Sequence, residues 1–303
     1  MIMLRKKISL ILIILFTGIH SSWCQDTITG VKERKPLERD AFQSGIFIDN
    51  QTVNLPPATT LEFVLQHRFG TIKNGIEDFF GIWGASNIRL GLNFTITKDL
   101  LVGLGTTKNK RLQDLQLKWT FQRQRQGGFP VTMSYYGNFA MNLSNKSDFG
   151  KDYKFIDRLS YYHELMFARR FCNYFSLQIS AAYTHINKVD TTMVNDYFTL
   201  AALARFKVTP QSSIMVTFSK PLQVNYDPAF IVRYPNNWIS NPENAPYANV
   251  GIGWEICTST HAFQLFFSAA PGIVPQEINA TNHNDFFDGY ILIGLNITRL
   301  WTF

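Results

Sequence analysis

The chain has 303 residues, a formal net charge of +7 and 46% hydrophobic residues, and its 26 phenylalanines are an unusually high count. This apolar content is ordinary for a folded chain and excludes an intrinsically disordered protein. The charge is too small to indicate nucleic-acid binding, because Arg5, Lys6 and Lys7 lie in a predicted leader whose removal leaves about +4.

Residues 1–24 have the pattern of a secretory signal peptide. Basic residues are followed by an apolar stretch from Ile8 to Ile19 and by small residues before a cut after Cys24. Lipidation of Cys24 is the alternative, disfavoured because the bulky Trp23 precedes it. No later run of about eighteen apolar residues occurs, so an exported chain of this kind is periplasmic, secreted or an outer-membrane β-barrel.

Residues 25–59 form a segment of a different composition. It begins charged, from Lys32 to Asp40, and becomes half apolar from Ala41 to Val53. We expect this segment to be either a periplasmic linker or a plug within the lumen of a barrel formed by residues 60–303.

The rest of the chain shows repeated alternation of apolar and polar residues. In Asn87–Thr97, for example, Ile88, Leu90 and Leu92 share one face, opposite Arg89 and Asn93. A period of two is the pattern of a β-strand, and each segment approaches the roughly ten residues that a tilted strand needs to cross a bilayer. About twelve such segments are predicted, near 60–69, 87–97, 100–107, 113–122, 129–141, 157–170, 174–185, 197–208, 212–220, 248–258, 261–270 and 289–303.

The lengths of the connections alternate with strand number. Short turns such as Lys98-Asp99 and Thr209-Pro210-Gln211 alternate with longer segments, of which 221–247 is rich in proline and aromatic residues. Outer-membrane barrels have this arrangement, with short periplasmic turns and long external loops. The sequence therefore predicts an all-β, transmembrane antiparallel barrel in the bacterial outer membrane, with both chain ends in the periplasm. A soluble two-sheet sandwich is the alternative, because its strands also alternate.

The chain ends on a strand that finishes with an aromatic residue. Leu295, Ile297, Trp301 and Phe303 fall on one apolar face, and Phe303 is the last residue. This ending resembles the terminal signal through which the barrel assembly machinery engages outer-membrane proteins. We expect these four residues to act as the assembly signal.

Three stretches resemble a known family. LEFVLQHRFG (residues 61–70), the long stretch 78–105 and LQLKWTFQRQ (residues 115–124) are similar to an uncharacterised Bacteroidota family of β-barrel proteins. In that family an HRFG strand, here His67 to Gly70, opens the barrel. The resemblance implies an outer-membrane barrel and no established activity, since the family is a domain of unknown function.

Charged residues on the face opposite the apolar one are the candidates for lining the lumen. They are Glu62, Arg68, Arg89, Lys118, Glu164, Arg205, Lys207 and Glu255. Such charges usually pair with each other and fill a narrow barrel. The functional alternative is a weakly selective polar path, in which the excess of basic residues favours anions.

The histidines do not form a recognisable catalytic or metal site. His67 shares the parity of the apolar face, so it points outward unless a bulge turns it inward. A barrel phospholipase needs a His and a Ser two residues apart, whereas Ser160 and His163 are three apart and fall on opposite faces. No metal site, cofactor or catalytic residue is predicted, and Cys172 and Cys257 are expected to be free thiols because four strands separate them.

Two functions remain open from the sequence. The first is a passive conduit or binding barrel for small polar or anionic molecules. The second is a non-conducting barrel with a sealed lumen that anchors a partner protein. In both cases the expected partners are outer-membrane lipid and lipopolysaccharide, whose phosphates the external Lys108, Lys110 and Arg111 could contact, and nucleic acid is not expected.

Overall fold

The structure, a computed structural model, describes residues 35–190, 193–224 and 245–303. The predicted signal peptide and most of the loop 221–247 therefore lie outside the described residues. Twelve antiparallel strands, β3 to β14, close into a barrel in which each strand pairs with its neighbours in sequence and β14 pairs with β3. Their bounds are β3 (Thr60–Thr71), β4 (Asn87–Thr97), β5 (Leu100–Thr107), β6 (Gln113–Gln122), β7 (Thr132–Met141), β8 (Leu159–Arg170), β9 (Phe175–Ile186), β10 (Asp196–Lys207), β11 (Ser212–Gln223), β12 (Asn249–Cys257), β13 (His261–Ser268) and β14 (Leu292–Thr302).

The barrel confirms the fold predicted from the alternation. Most strand ends lie within two residues of the predicted positions, and the largest differences are three residues at the start of β7, the start of β14 and the end of β11. β7 begins after Pro130, which cannot donate a ladder hydrogen bond. Within the described strands, turns of two to four residues at one end join β4 to β5, β8 to β9, β10 to β11 and β12 to β13. We call this the periplasmic end, following the usual arrangement of outer-membrane barrels.

The two faces of the barrel wall differ as the pattern predicts. In β3, buried and half-buried residues alternate along the whole strand, and in β6 the alternation is between buried and exposed residues. The outward set includes Leu90, Leu115 and Leu265, all of them exposed. The outward face is therefore an apolar belt suited to hydrocarbon, whereas the inward face is predominantly polar. Among the described residues, no helix is both long and apolar enough to cross a bilayer.

Residues 41–59, which we call the luminal segment, contact inward-facing side chains around the wall. Two short strands, β1 (Ile46–Phe47) and β2 (Asn50–Gln51), pair to form a tight hairpin within the segment. Residues 35–38 run along the β6–β7 turn, where Glu38 N donates to Gln124 O at 2.9 Å. This turn is the longest among the described periplasmic turns.

The β13–β14 connection contains a helix that the sequence reasoning treated as loop. α1 (Pro275–Thr281) begins with proline at its first position, and five of its seven residues are buried. α1 contacts β8, β9, β10 and β11, so it lies in the mouth of the barrel at the external end. The luminal segment and α1 thus occupy the interior from opposite ends.

Candidate functional site: the interior of the barrel

The centre of the interior is organised around Asp49 of the luminal segment. Its carboxylate accepts from Arg68 Nη2 at 2.7 Å and from Arg68 Nε at 3.0 Å, both to Oδ1. Its Oδ2 accepts from Asn249 Nδ2 at 3.0 Å and from the Ser268 hydroxyl. Arg68 also lies over the ring of Phe266, 4.6 Å from its centroid. Asp49 therefore links three strands of the wall, β3, β12 and β13, to the luminal segment.

A second buried ion pair belongs to the wall itself. Arg89 Nη2 donates to Asp114 Oδ2 at 2.6 Å, and Arg89 Nη1 donates to Gln66 Oε1 at 3.1 Å. Asn138 Nδ2 adds a hydrogen bond to the same Asp114 oxygen at 3.1 Å, and Arg89 Nε donates to the other oxygen, Oδ1, at 2.9 Å. Because both oxygens of the carboxylate are satisfied, this pair cross-links β4, β6 and β7 without leaving an uncompensated charge.

Glu255 is the third charged centre. It is fully buried and accepts from Gln264 Nε2 at 2.9 Å, from Ser213 Oγ at 3.2 Å and from the hydroxyl of Ser44. Arg205 Nε lies 3.8 Å from its Oε2. Ser44 belongs to the luminal segment, so this carboxylate also ties the segment to the wall.

The remaining candidate lumen residues form no direct ion pair with any residue of the described ranges. Lys118 Nζ donates to Gly45 O at 2.9 Å, and Glu62 Oε2 accepts from Asn93 Nδ2 at 2.7 Å. Glu164 is buried and lines a cavity of about 10 Å³. Lys207, near the periplasmic end of β10, is only half-buried. Seven of the eight candidates are thus buried in the interior.

An apolar core also lies inside the barrel. Phe42, Phe47, Ile48 and Val53 of the luminal segment form one buried cluster with inward-facing residues of the wall. Phe42 and Phe47 meet edge to face, with ring centroids 5.1 Å apart. The wall residues of the cluster are Tyr136, Tyr162, Met166, Ala168, Ala182, Ala201, Leu203, Met215 and Phe266.

The helix α1 makes polar contacts with the upper wall. Gln276 Nε2 donates to Asn138 Oδ1 at 2.9 Å, and Asn279 Nδ2 donates to Thr184 Oγ1 at 2.9 Å. Glu277 Oε1 accepts from Asn109 Nδ2 at 2.6 Å. Burial raises the pKa of Glu277 to about 7, an effect that nearby Lys110, a backbone hydrogen bond and Asn109 partly oppose.

Larger cavities lie at the ends of the barrel, and one of them, of about 320 Å³, lies at the external end beside Asn87, Lys108 and Pro271. The external vestibule, bounded by α1 and the loops after β5, β7 and β9, has a volume of about 330 Å³. A periplasmic cavity of about 180 Å³ lies beside residues 54–57. In the described interior between them, the cavities beside Asp49 have volumes of about 10 Å³ each, room for about one water molecule.

The outward face carries the remaining residues singled out from the sequence. His67 keeps its outward parity, with its ring centroid 4.3 Å from that of Phe69. The register of the β3–β14 pairing shifts just after it, where Arg68 pairs with Gly294 but Thr71 pairs with Leu292, so the extra residue lies on β3. Leu295, Ile297, Trp301 and Phe303 also face outward, and Phe303 is 82% exposed. Ser160 is buried in the interior whereas His163 is exposed, so these two side chains lie on opposite faces.

Sequence reasoning missed two carboxylates at the centre of the site. Asp114 shares the inward parity of Lys118, which was a signal that could have identified it. Asp49 lies in a segment without an alternating pattern, so the sequence does not indicate which way its side chain points. Within the described part of the chain, Cys172 and Cys257 are free, and no group of three or more His, Cys, Asp or Glu side chains is arranged to hold a metal ion.

The chain is similar in fold to several solved outer-membrane proteins. An outer membrane channel from Pseudomonas putida F1 gives a TM-score of 0.49 at 10% identity, over 82% of this chain and 97% of that one. The KdgM porin gives a TM-score of 0.44 at 7% identity, over 80% and 99%. Outer membrane phospholipase A from Escherichia coli gives 0.41 at 11% identity, over 82% and 94%.

A comparison with curated proteins gave no match. The model of one family, described as a membrane bound beta barrel domain (DUF5777), matches residues 42–301. The match includes the luminal segment as well as the twelve strands, so the segment is part of the family's domain. The chain therefore belongs to the DUF5777 family of membrane bound beta barrel domains, and it is a protein of the bacterial outer membrane.

Proposed function

We propose that this protein is a closed, non-conducting outer-membrane barrel that holds binding surfaces at its two ends. The proposal favours the second of the two functions left open by the sequence. The observation that carries it is the apolar core shared by the luminal segment and the wall.

The composition of the wall supports a permanently occupied lumen. Tyr136, Met166, Leu203, Met215 and Phe266 all point inward, and each is at most 1% exposed. An open aqueous pore would bring these side chains into contact with water. Burial of one large apolar side chain stabilises a fold by about 1.5–3 kcal/mol. Exposing several of these side chains to water would therefore destabilise the barrel. A wall of this kind indicates a protein core rather than a channel lining.

The ionic contacts support the same conclusion. If the luminal segment left the barrel, Arg68 would lose Asp49 while it remained inside the wall. Breaking a buried ion pair by removing one partner costs about 3–5 kcal/mol. Glu255 would at the same time lose the hydroxyl of Ser44. The segment therefore compensates charges that the wall alone leaves unpaired.

The two ends of the barrel offer different surfaces. At the periplasmic end, residues 35–40 lie across the rim, where Glu38 is 3.7 Å from Arg170. At the external end, the vestibule opens beside α1. A partner protein bound at the periplasmic rim would be anchored to the membrane by a barrel that leaves the permeability of the membrane unchanged.

Planar-bilayer recording on the full-length protein tests this proposal. We expect no channel currents from the wild type, and steady currents would overturn the proposal in favour of the passive conduit. The double variant Phe47→Ser with Asp49→Ser loosens both the apolar and the ionic contacts of the segment. We expect this variant, once shown to be folded by its heat-modifiable band, to give a leak that demonstrates the sensitivity of the recording.

A further inference from the structure

The external vestibule has the size and lining of a small-molecule site. Its volume of about 330 Å³ lies at the lower end of the range for ligand pockets. The polar part of its lining includes planar hydrogen-bonding groups, and apolar contact is offered by Phe149 and Met193. The planar groups are Asn142, Asp148, Asp157, Arg158, Gln276 and Glu277.

Two acceptors of this lining lack partners. Gln276 Oε1 and Glu277 Oε2 are buried and have no hydrogen-bond partner in the described part of the chain. The two side chains are 2% and 4% exposed, so bulk water does not compensate them. An unpaired buried acceptor costs about 1–3 kcal/mol, which a donor on a bound molecule would recover. Hydroxyl and ammonium groups are donors of this kind.

The charge of the vestibule decides between ligand classes. Asp148, Asp157, Asp190 and Glu277 oppose Lys110, Arg158 and Lys188 in its lining. Arg158 is already engaged: its Nε donates to Tyr153 Oη at 2.7 Å, and its Nη1 donates to Asn142 O at 2.7 Å and to Ser144 O at 2.8 Å. An anion would therefore meet no net positive charge in this lining, and the guanidinium of Arg158 is already engaged.

A cation is also a poor fit, because burial raises the pKa of Glu277 to about 7 and its carboxyl group is partly protonated near neutral pH. A neutral molecule with several hydroxyl groups satisfies both unpaired acceptors and leaves the charge balance unchanged. We propose that the external vestibule binds a neutral, polyhydroxylated solute of the size of a mono- or disaccharide.

Isothermal titration calorimetry of the full-length protein tests this site. The detergent is a non-glycosidic one, such as lauryldimethylamine oxide, because alkyl glucosides and maltosides carry sugar head groups. The probes are glucose, galactose and maltose, with glucuronate and glucosamine as the charged counterparts of glucose. We expect at least one neutral sugar to bind, and glucose to bind more tightly than either charged counterpart. Absence of heat with all three neutral sugars, or tighter binding of glucuronate or glucosamine, would overturn the proposal.

Two variants locate the binding. Glu277→Leu removes the unpaired acceptor and is expected to weaken binding by about tenfold, the equivalent of one hydrogen bond. Glu62→Leu, the matched control beside the periplasmic cavity, should leave the affinity unchanged. If Glu277→Leu does not fold, Val189→Trp fills the vestibule from a half-buried position. Unchanged affinity in a folded vestibule variant would place the binding elsewhere and contradict the proposal. This test does not use planar-bilayer currents. The proposal of a binding site and the proposal of a closed lumen can therefore be contradicted independently of each other.

Discussion

Asp49 Oδ1 and Arg68 Nη2 are 2.7 Å apart, and neither side chain is more than 1% exposed. The aspartate belongs to the luminal segment and the arginine to β3, the strand that follows it directly in the chain. This ion pair joins the luminal segment to the wall of the barrel.

Asp49→Ala is expected to destabilise the barrel by about 3–5 kcal/mol, because it leaves the Arg68 guanidinium buried and uncompensated. Urea unfolding in detergent, followed by tryptophan fluorescence, measures the change. Asp99→Ala is the control, since Asp99 pairs with Arg123 at a partly exposed site, where one ion pair contributes about 0–1 kcal/mol. Equal losses of stability in the two variants would contradict the central role of the buried pair.

Gly81→Ala is expected to displace the external loop between β3 and β4. Gly81 has a φ of +86°, and an added Cβ would lie 2.3 Å from the carbonyl oxygen of Gly70. Gly150→Ala carries the same backbone strain, with a φ of +83°, but its Cβ would meet no atom within 4 Å. Limited proteolysis should therefore cut the β3–β4 loop faster in Gly81→Ala than in wild type. Gly150 lies in the β7–β8 loop, and that loop in Gly150→Ala should remain as resistant as in wild type. Faster cleavage there would contradict the steric explanation.

Stability should depend on pH through Glu277. Its folded pKa is about 7, above the ordinary value of 4.5, so the folded state retains a proton that the unfolded state releases. The contribution of this group is fully present below about pH 4.5 and is lost as the pH rises to about 7. In Glu277→Gln, the fall of the unfolding free energy between these pH values should become smaller, and an unchanged profile would assign the dependence to other groups.

The two described thiols should differ in reactivity. Cys172 is exposed in the β8–β9 turn, whereas Cys257 is buried at the end of β12. A membrane-impermeant maleimide should label Cys172 only after the outer membrane has been permeabilised, because this turn faces the periplasm. Peptide mapping by mass spectrometry identifies the labelled residue. Labelling of Cys172 on intact cells would mean that the barrel has the opposite orientation in the membrane.

The C-terminal residue provides a test of the assembly signal. Phe303→Ala is expected to slow the appearance of the folded, heat-modifiable band in a pulse-chase experiment. Phe287→Ala is a matched control, because Phe287 is equally exposed at 82% but lies in an external loop. If the folded band appears at the same rate in Phe303→Ala and wild type, Phe303 is not part of the assembly signal.

The wall of the barrel was predictable because it is repetitive. Each strand carries many residues with a period of two, and one apolar face must meet lipid. The predicted first and last residues of β4, β5 and β6 therefore agree with those in the structure. His67 also lies on the face that its parity indicates. The contents of the barrel were less predictable, because β1, β2 and α1 are too short for periodicity to identify. The partner of Arg68 is nineteen positions away, in the turn between β1 and β2, and only the three-dimensional fold brings it there.

The position of the luminal segment has a consequence for biogenesis. The segment directly precedes β3, and β3 forms the seam of the cylinder with β14, the last strand to be synthesised. Before that seam shuts, residues 41–59 can enter from the side; once it has shut, the periplasmic end is their route, since a closed wall leaves no side entrance. Closure of the seam thus changes the path by which the segment reaches the interior.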